Sequence, residues 1–304
     1  MVVYSVIDND IGLDELVAKW GGDGVASVAM DFEEESNLHC YGEYVCTMQL
    51  FDGSRYYLVD CLALSRTEEG RASLRAFLEG PIEKVMFACQ SDAALARKTL
   101  GIQLANIYDI RILAMALGLT GNLSSLEEKY IKADVSETPS FEAPLYGSKK
   151  KFQTANWMRR PIPRDQIVYA LGDVEHLFEL RAILEEEVSQ TLSVSKQKEI
   201  AYEMKRCALA KNPERPGWEK ICNYRLLGHR ERVFIKHYFL ARDSVARRRN
   251  VPASRVLAKQ DIVGMAKAQD WRGFVPVGSR ELEAAFSKAH ENALKELRKP
   301  VVLS

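Results

Sequence analysis

The chain has 304 residues, 47% of them hydrophobic and 28% charged, with a formal net charge of zero. That length suits two domains rather than one small one, and the composition is that of an ordinary globular protein. No stretch approaches the roughly 18 apolar residues of a membrane helix, and Met1–Asp8 lack the basic region and long apolar run of a secretory signal, so neither membrane insertion nor export is expected.

The zero conceals an asymmetry. Residues 196–304 hold 24 Lys and Arg against 12 Asp and Glu, whereas the first 195 residues hold 18 against 30. A basic second part attracts a polyanion; an acidic first part needs cations before one can approach. Solvated helix faces of unequal charge are the bland alternative. The six cysteines (Cys40, Cys46, Cys61, Cys89, Cys207 and Cys222) form no C-x-x-C pair, which argues against a zinc ribbon. Several lie in apolar runs, where a free thiol acts as a small hydrophobe, so they read as reduced and structural, in keeping with a cytoplasmic protein.

In chain order, Gly24 to Met30 reads as a buried strand running into Asp31. Tyr44 to Leu50 and Arg55 to Asp60 read as two more, with Asp52-Gly53 as a hairpin turn between them. Strands and helices then alternate. Glu69 to Leu78 is a helix stopped by Gly80-Pro81, Lys84 to Ala88 a strand, and Asp92 to Leu100 a helix ending at Gly101. Asn106 to Asp109 is a brief strand feeding a helix that ends near Gly118. The expectation is a mixed sheet, antiparallel first and parallel later. Residues 132–163 are poorly patterned and read as a long loop over the site. Pro163 opens a long helix through about Glu187, and a helix from Lys196 to about Lys211 leads onward. The remainder reads as all-helical: Trp218 to Leu227, Glu231 to Arg249, Lys259 to Ala268 and Arg280 to Leu297.

Asp31 and Glu33 are two apart, so persisting strand geometry puts both carboxylates on one face; a solvated acidic turn is the alternative. Tyr169 and Asp173 are four apart in a helical stretch and neighbours on one face, or else a phenol packed in the core with an acidic acceptor. Asp92 begins a helix, where a cap is as natural as a ligand. Asp109 carries the same ambiguity. Carboxylates beside buried segments are costly unless a cation or another partner offsets them, and a hard divalent ion prefers oxygen ligands of this kind. His39, His176 and His229 have no partner at metal-ligand spacing, and no phosphate-binding loop, nucleophile elbow or dinucleotide fingerprint is present.

Order and spacing together are more specific. A carboxylate pair ending the first strand, an aspartate after a later strand, then Tyr-x-x-x-Asp on a late helix resembles the DEDD superfamily of 3′-to-5′ exonucleases, in its tyrosine-bearing branch. The match is closest to ribonuclease D. Tyr44–Leu50, Asn122–Tyr130, Gln153–Trp157 and Arg159–Pro163 are similar to that family's connecting segments. Leu240–Ala246, Asn250–Pro252, Arg255–Leu257 and Ile262–Ala266 resemble an HRDC helical module.

The resemblance implies a ribonuclease H-like exonuclease domain over residues 1–195, a linker helix over 196–212 and an HRDC-like helical nucleic-acid-binding domain over 213–304. It implies hydrolysis of phosphodiesters at an RNA 3′ end with two divalent ions, Mg²⁺ or Mn²⁺, held by Asp31, Glu33, Asp92 and Asp173. Tyr169 would orient the attacking water. RNA with a single-stranded 3′ end is the expected partner, with DNA as the alternative substrate and an inactive RNA-binding scaffold as a third reading. Arg230, Arg232, Arg247, Arg248 and Arg249 are the expected phosphate contacts in the second part, with Lys149, Lys150 and Lys151 tracking the strand past the site. The chain departs from the family pattern at Phe87, where a histidine often stands, and in a longer loop over 132–152.

Overall fold

The computed structural model of the chain describes residues 3–131, 152–209, 215–221 and 223–299. It divides into two units, Met1–Glu35 with Glu43–Ala210, and Ser36–Gly42 with Lys211–Ser304.

The first unit is built on a six-stranded sheet. Two elements precede the first predicted strand: β1 (Tyr4–Ile7) and helix α1 (Asp10–Asp23). The local signals for α1 are plain. Asn9 Oδ1 accepts from the Gly12 amide at 2.9 Å to cap its start, and Gly24 ends it with φ +74°. Leu13, Leu16 and Trp20 form its buried stripe. β2 (Ser27–Ser36) therefore begins three residues later than expected and runs well past Met30. β3 (Glu43–Phe51) and β4 (Tyr56–Val59) pair antiparallel across the predicted Asp52-Gly53 turn. The short helix α2 (Cys61–Leu64) and α3 (Glu68–Leu78) follow. Then come β5 (Glu83–Met86), α4 (Gln90–Leu100), β6 (Ile107–Asp109), α5 (Ile110–Ala116) and α6 (Leu123–Tyr130). The strand order is β1-β4-β3-β2-β5-β6, with β1/β4, β2/β5 and β5/β6 parallel. This is the mixed sheet that the alternation of elements predicts.

Each face of the sheet is covered by its own apolar layer. Val28, Met30 and Phe32 pack with Leu13, Trp20, Leu74, Phe77 and Ala96 on one side. Ala29 and Val85 pack with Ile110, Leu113, Val174, Leu177 and Leu180 on the other. Side chains alternate along a strand. Asp31 and Glu33 therefore follow Ala29 on to the second face.

The long helix predicted from Pro163 is two helices, α7 (Arg164–Glu175) and α8 (Leu177–Thr191), broken at His176. Most of the apolar face of α7 serves other layers than α8 does, with Val174 shared. Ile167 and Leu171 of α7 pack with Leu58 and Ala170 packs with Cys46 and Trp157, whereas α8 buries Leu177, Leu180, Leu184 and Val188 with Ile110 and Leu113. The helix expected as a linker is α9 (Val194–Met204), and it belongs to this first unit, with Ile200 buried in the same layer as α8.

The second unit is helical. α10 (His229–Arg249) is its spine, followed by a single turn α11 (Ala253–Val256), then α12 (Lys259–Ala268) and α13 (Arg280–Leu297). Phe234, Tyr238, Ile262, Met265 and Phe286 are fully buried among them. The helix predicted from Trp218 to Leu227 is instead two short 3-10 turns, Gly217–Lys220 and Tyr224–Leu226. Asn223 between them has φ +60°, in the left-handed region, which ends any continuous helix there. Among the described residues no helix is long and apolar enough to cross a membrane.

Candidate active site

The site forms where β2 overshoots its neighbour. β2 pairs with β5 only from Ser27 to Ala29, and β5 ends at Met86. Asp31 and Glu33 lie beyond that pairing but still in strand conformation, so their carboxylates share a face. The solvated-turn alternative fails on this geometry. Asp92 sits in the first turn of α4, and it is not the cap: Cys89 holds that position. A negative charge there is favoured by the helix dipole. Tyr169 and Asp173 lie one turn apart on α7.

These five residues lie close enough to act on one another's ionisation. Asp31 is pushed well above the ordinary carboxylate range, first by burial and then by the charges of Asp92 and Asp173. Glu33 is raised by burial, then by Asp31, Asp173 and Asp92. Asp92 is pushed up to about 7, by burial and then by Glu34. The Tyr169 phenol is raised by burial, then by Asp173, Glu33 and Asp31. Four acids from three separate elements thus repel one another at the edge of a core. A bound cation would offset that repulsion. The donor set is carboxylate and phenol oxygen, which fits a hard divalent ion.

Asp109 does serve as a cap. Its carboxylate accepts from the Ala88 amide at 2.8 Å, the Cys89 amide at 3.0 Å and the Arg111 amide at 3.0 Å, so it caps α5 and pins the turn into α4. Phe87 is half-buried against the α5–α8 layer, with the Arg111 guanidinium 6.0 Å from its ring centre.

Sequence reasoning overlooked the residues that hold the tyrosine. Phe152 stacks on Tyr169 with ring centres 5.0 Å apart, and Trp157 lies tilted at 6.4 Å. The segment carrying both is stapled by Arg160. Its guanidinium donates to Asp60 Oδ1 at 2.8 Å, to the Cys46 carbonyl at 3.0 Å and to the Trp157 carbonyl at 2.7 Å. Burial pushes the Asp60 carboxyl up, but the Arg160 hydrogen bonds more than offset it and hold it below its ordinary value. Arg160→Met leaves a largely buried carboxylate unpaired and should cost roughly 2–4 kcal/mol. Urea titration of Arg160→Met, Asp60→Asn and the double variant checks this. If the two single losses simply add, the staple has no coupling and the idea fails.

The expected basic contacts divide. Lys149, Lys150 and Lys151 lie outside the described residues. Arg248 and Arg249 both bond Glu281, at 2.8 Å and 2.7 Å, and hold its carboxyl below the ordinary range. Arg230 donates to Gln269 at 3.0 Å. Arg247 lies over the Tyr41 ring at 5.4 Å. Arg230, Arg247, Arg248 and Arg249 are exposed, and Arg232 is partly covered.

Residues 4–189 match a family model described as 3′-5′ exonuclease. The chain belongs to the 3′-5′ exonuclease family. That match takes in all five site residues, and the family depends on divalent metal ions. This exonuclease chain is 27% identical over 249 residues to ribonuclease D of Nitrobacter hamburgensis, covering 79% of this chain and 58% of that one. It is 27% identical over 169 residues to ribonuclease D of Haemophilus influenzae, covering 55% of this chain and 38% of that one. The chain thus spans less than two thirds of the length of these relatives. Among solved structures, Escherichia coli ribonuclease D aligns with a TM-score of 0.68 at 22% identity, over 98% of this chain and 76% of that one. The catalytic core of RRP6 from Trypanosoma brucei aligns with a TM-score of 0.71 at 19% identity, over 99% and 82%. At those identities the likeness is one of fold, and it extends over the helical second unit as well as the sheet.

Proposed function

We propose that this chain is a metal-dependent 3′-5′ exoribonuclease of the ribonuclease D type, releasing nucleoside 5′-monophosphates from RNA 3′ ends. The convergence of Asp31, Glu33, Asp92 and Asp173 with Tyr169 is the observation that carries the reading. The four carboxylates are the groups that would hold two Mg²⁺ or Mn²⁺ ions. Such ions, when bound, polarise a phosphodiester and make a bound water acidic enough to act near neutral pH. The chain's own part is placement. The carboxylates' repulsion makes the site selective for multiply charged cations and closed to a bare polyanion. Tyr169, its ring packed against Phe152 and Trp157, presents one hydroxyl to orient the attacking water.

The second unit is, on this reading, an HRDC-like grip on the RNA backbone, and the exonuclease domain is the unit before it. Arg230, Arg232 and Arg247 are the better-placed contacts, because Arg248 and Arg249 already share Glu281. Lys149 to Lys151 remain proposed as strand contacts on charge alone. Among the described residues five cysteines stand outside any disulfide, which suits a reducing cytoplasm. DNA is the competing substrate, since no residue identified here reads a 2′-hydroxyl.

Matched RNA and DNA oligomers, labelled at the 5′ end and digested with Mg²⁺ or Mn²⁺, test the assignment. The expected result is a ladder of RNAs shortened from the 3′ end with 5′-monophosphate products, and slower loss of DNA. Internal cleavage products, or digestion that survives EDTA, would sink it. The same RNA, used in binding assays with alanine at Arg230, Arg232 and Arg247, tests the grip. An unchanged salt dependence of affinity removes it.

A further inference from the structure

A second group of metal-ligating side chains stands apart from the five residues above. Cys89 precedes α4, Asp109 ends β6 and Cys207 follows α9. One ligand atom from each lies within 4.8 Å of the other two. All three residues are buried, with Cys89 0% exposed, Asp109 5% and Cys207 8%. They belong to the first unit, and to three segments far apart in sequence.

A carboxylate buried against two thiols needs an explanation, because thiols are weak donors and the interior disfavours its charge. The three backbone amides described above stabilise Asp109 and fix its orientation, much as hydrogen-bond partners orient a metal-bound carboxylate. Two of those bonds end on Oδ1 and one on Oδ2. The carboxylate also takes the Cys89 thiol as a donor, a proton that an entering ion would displace. On the sulfur side, Cys89 and Cys207 are hydrogen-bonded to each other. That bond pushes the Cys89 thiol up and holds Cys207 below the ordinary thiol range. The Cys207 thiol also donates to the Met204 carbonyl at 3.0 Å, a hydrogen bond that an entering ion would replace.

We propose that Cys89, Asp109 and Cys207 form a binding site for a thiophilic divalent cation of the zinc class. Two thiolates and a carboxylate supply three ligands of the kinds zinc takes and leave a fourth tetrahedral position. The sulfur pair separates this site from the oxygen-only cluster at Asp31: Mg²⁺ has no preference for thiolate, whereas zinc does. Binding replaces the protons of both thiols, so it releases protons as the ion enters. The consequence is positional. Cys89 lies three residues before Asp92, so an ion here ties the segment after α9 to the turn that aims Asp92 into the catalytic cluster.

The test uses the full chain, freed of metal and reduced with a phosphine, then titrated with Co²⁺ as a spectroscopic probe. The expected result is a thiolate-to-cobalt charge-transfer band that saturates with a single ion and vanishes on adding Zn²⁺ but not Mg²⁺. Cys207→Ser and, separately, Cys89→Ser should abolish it with the near-ultraviolet circular dichroism retained in at least one of them. Asp31→Asn should keep it, which separates this site from the carboxylate cluster. A folded, reduced wild-type chain without the band overturns the proposal, as does a band that survives both serine variants. A Cys89–Cys207 disulfide in the air-exposed protein, with no band once reduced, also overturns it and assigns the pair to thiol oxidation instead.

Discussion

Asp31→Asn should lower the rate of RNA 3′-end hydrolysis by at least about a thousandfold, the scale on which loss of a preorganised charge acts at a reacting centre. Its effect on stability should have the opposite sign. Asp31 is raised by burial and by the charges of Asp92 and Asp173, so its ionised form is a cost to the metal-free fold. Replacing it by a neutral isostere removes that cost and relieves both neighbours. Without divalent ions the variant should melt above the wild type, by an amount on the order of 1 kcal/mol or more. A purely structural aspartate gives the reverse pattern, with lower melting and little change in rate. Measuring both quantities on the same preparation therefore decides between a functional and a structural role.

The second large effect is on the response to pH and to metal removal. Asp92 has an ordinary value of 3.8 and is pushed up to about 7 in the fold. Between those values the folded chain holds protons that the unfolded chain has released. Stability of the metal-free protein should therefore fall as pH rises from about 4 to about 7 and then level off. Asp31 and Glu33 are shifted in the same direction and steepen the fall. Saturating Mg²⁺ should cancel much of that slope, adding about 2.7 kcal/mol at a hundredfold excess over the dissociation constant. For a domain of this size that is roughly 5–10 °C in melting temperature. Thermal melts at pH 5 and pH 7.5, with EDTA and with Mg²⁺, read the whole pattern. Metal-free stability that climbs over this interval would show that the carboxylates are already offset by the protein itself.

What was legible in the sequence follows from how local each signal is. The carboxylate pair could be read because a period of two needs only neighbours, and Tyr169 with Asp173 because a helical turn needs only four residues. Most strands and the helices α12 and α13 announce themselves by apolar spacing and flanking turn residues. α1 carries the same local signals in Asn9, Gly24 and its Leu13, Leu16, Trp20 stripe. Other features are not local at all. The break at His176 falls where the chain passes from packing on Leu58, Cys46 and Trp157 to packing on Ile110 and Leu113, a change set by the sheet and not by the helix sequence. Arg160 finds its partners at Asp60 and Cys46, about a hundred residues upstream, and Cys207 finds Cys89 across a comparable distance. The left-handed Asn223 that divides the Trp218–Leu227 segment is a single backbone choice inside an otherwise helix-compatible run.

The mismatch in length between β2 and β5 has an implication for redesign. β2 runs to Ser36, whereas β5 stops at Met86 and hands over to the turn leading into α4. The proposed active site is thus a vacancy in the sheet: the place where a neighbouring strand declines to continue. Its width is set by where a backbone ends rather than by the size of any side chain. Point substitutions on β5 should leave that mouth intact. A two-residue insertion after Met86, long enough to extend the ladder past Asp31, should close it with every acidic group still present.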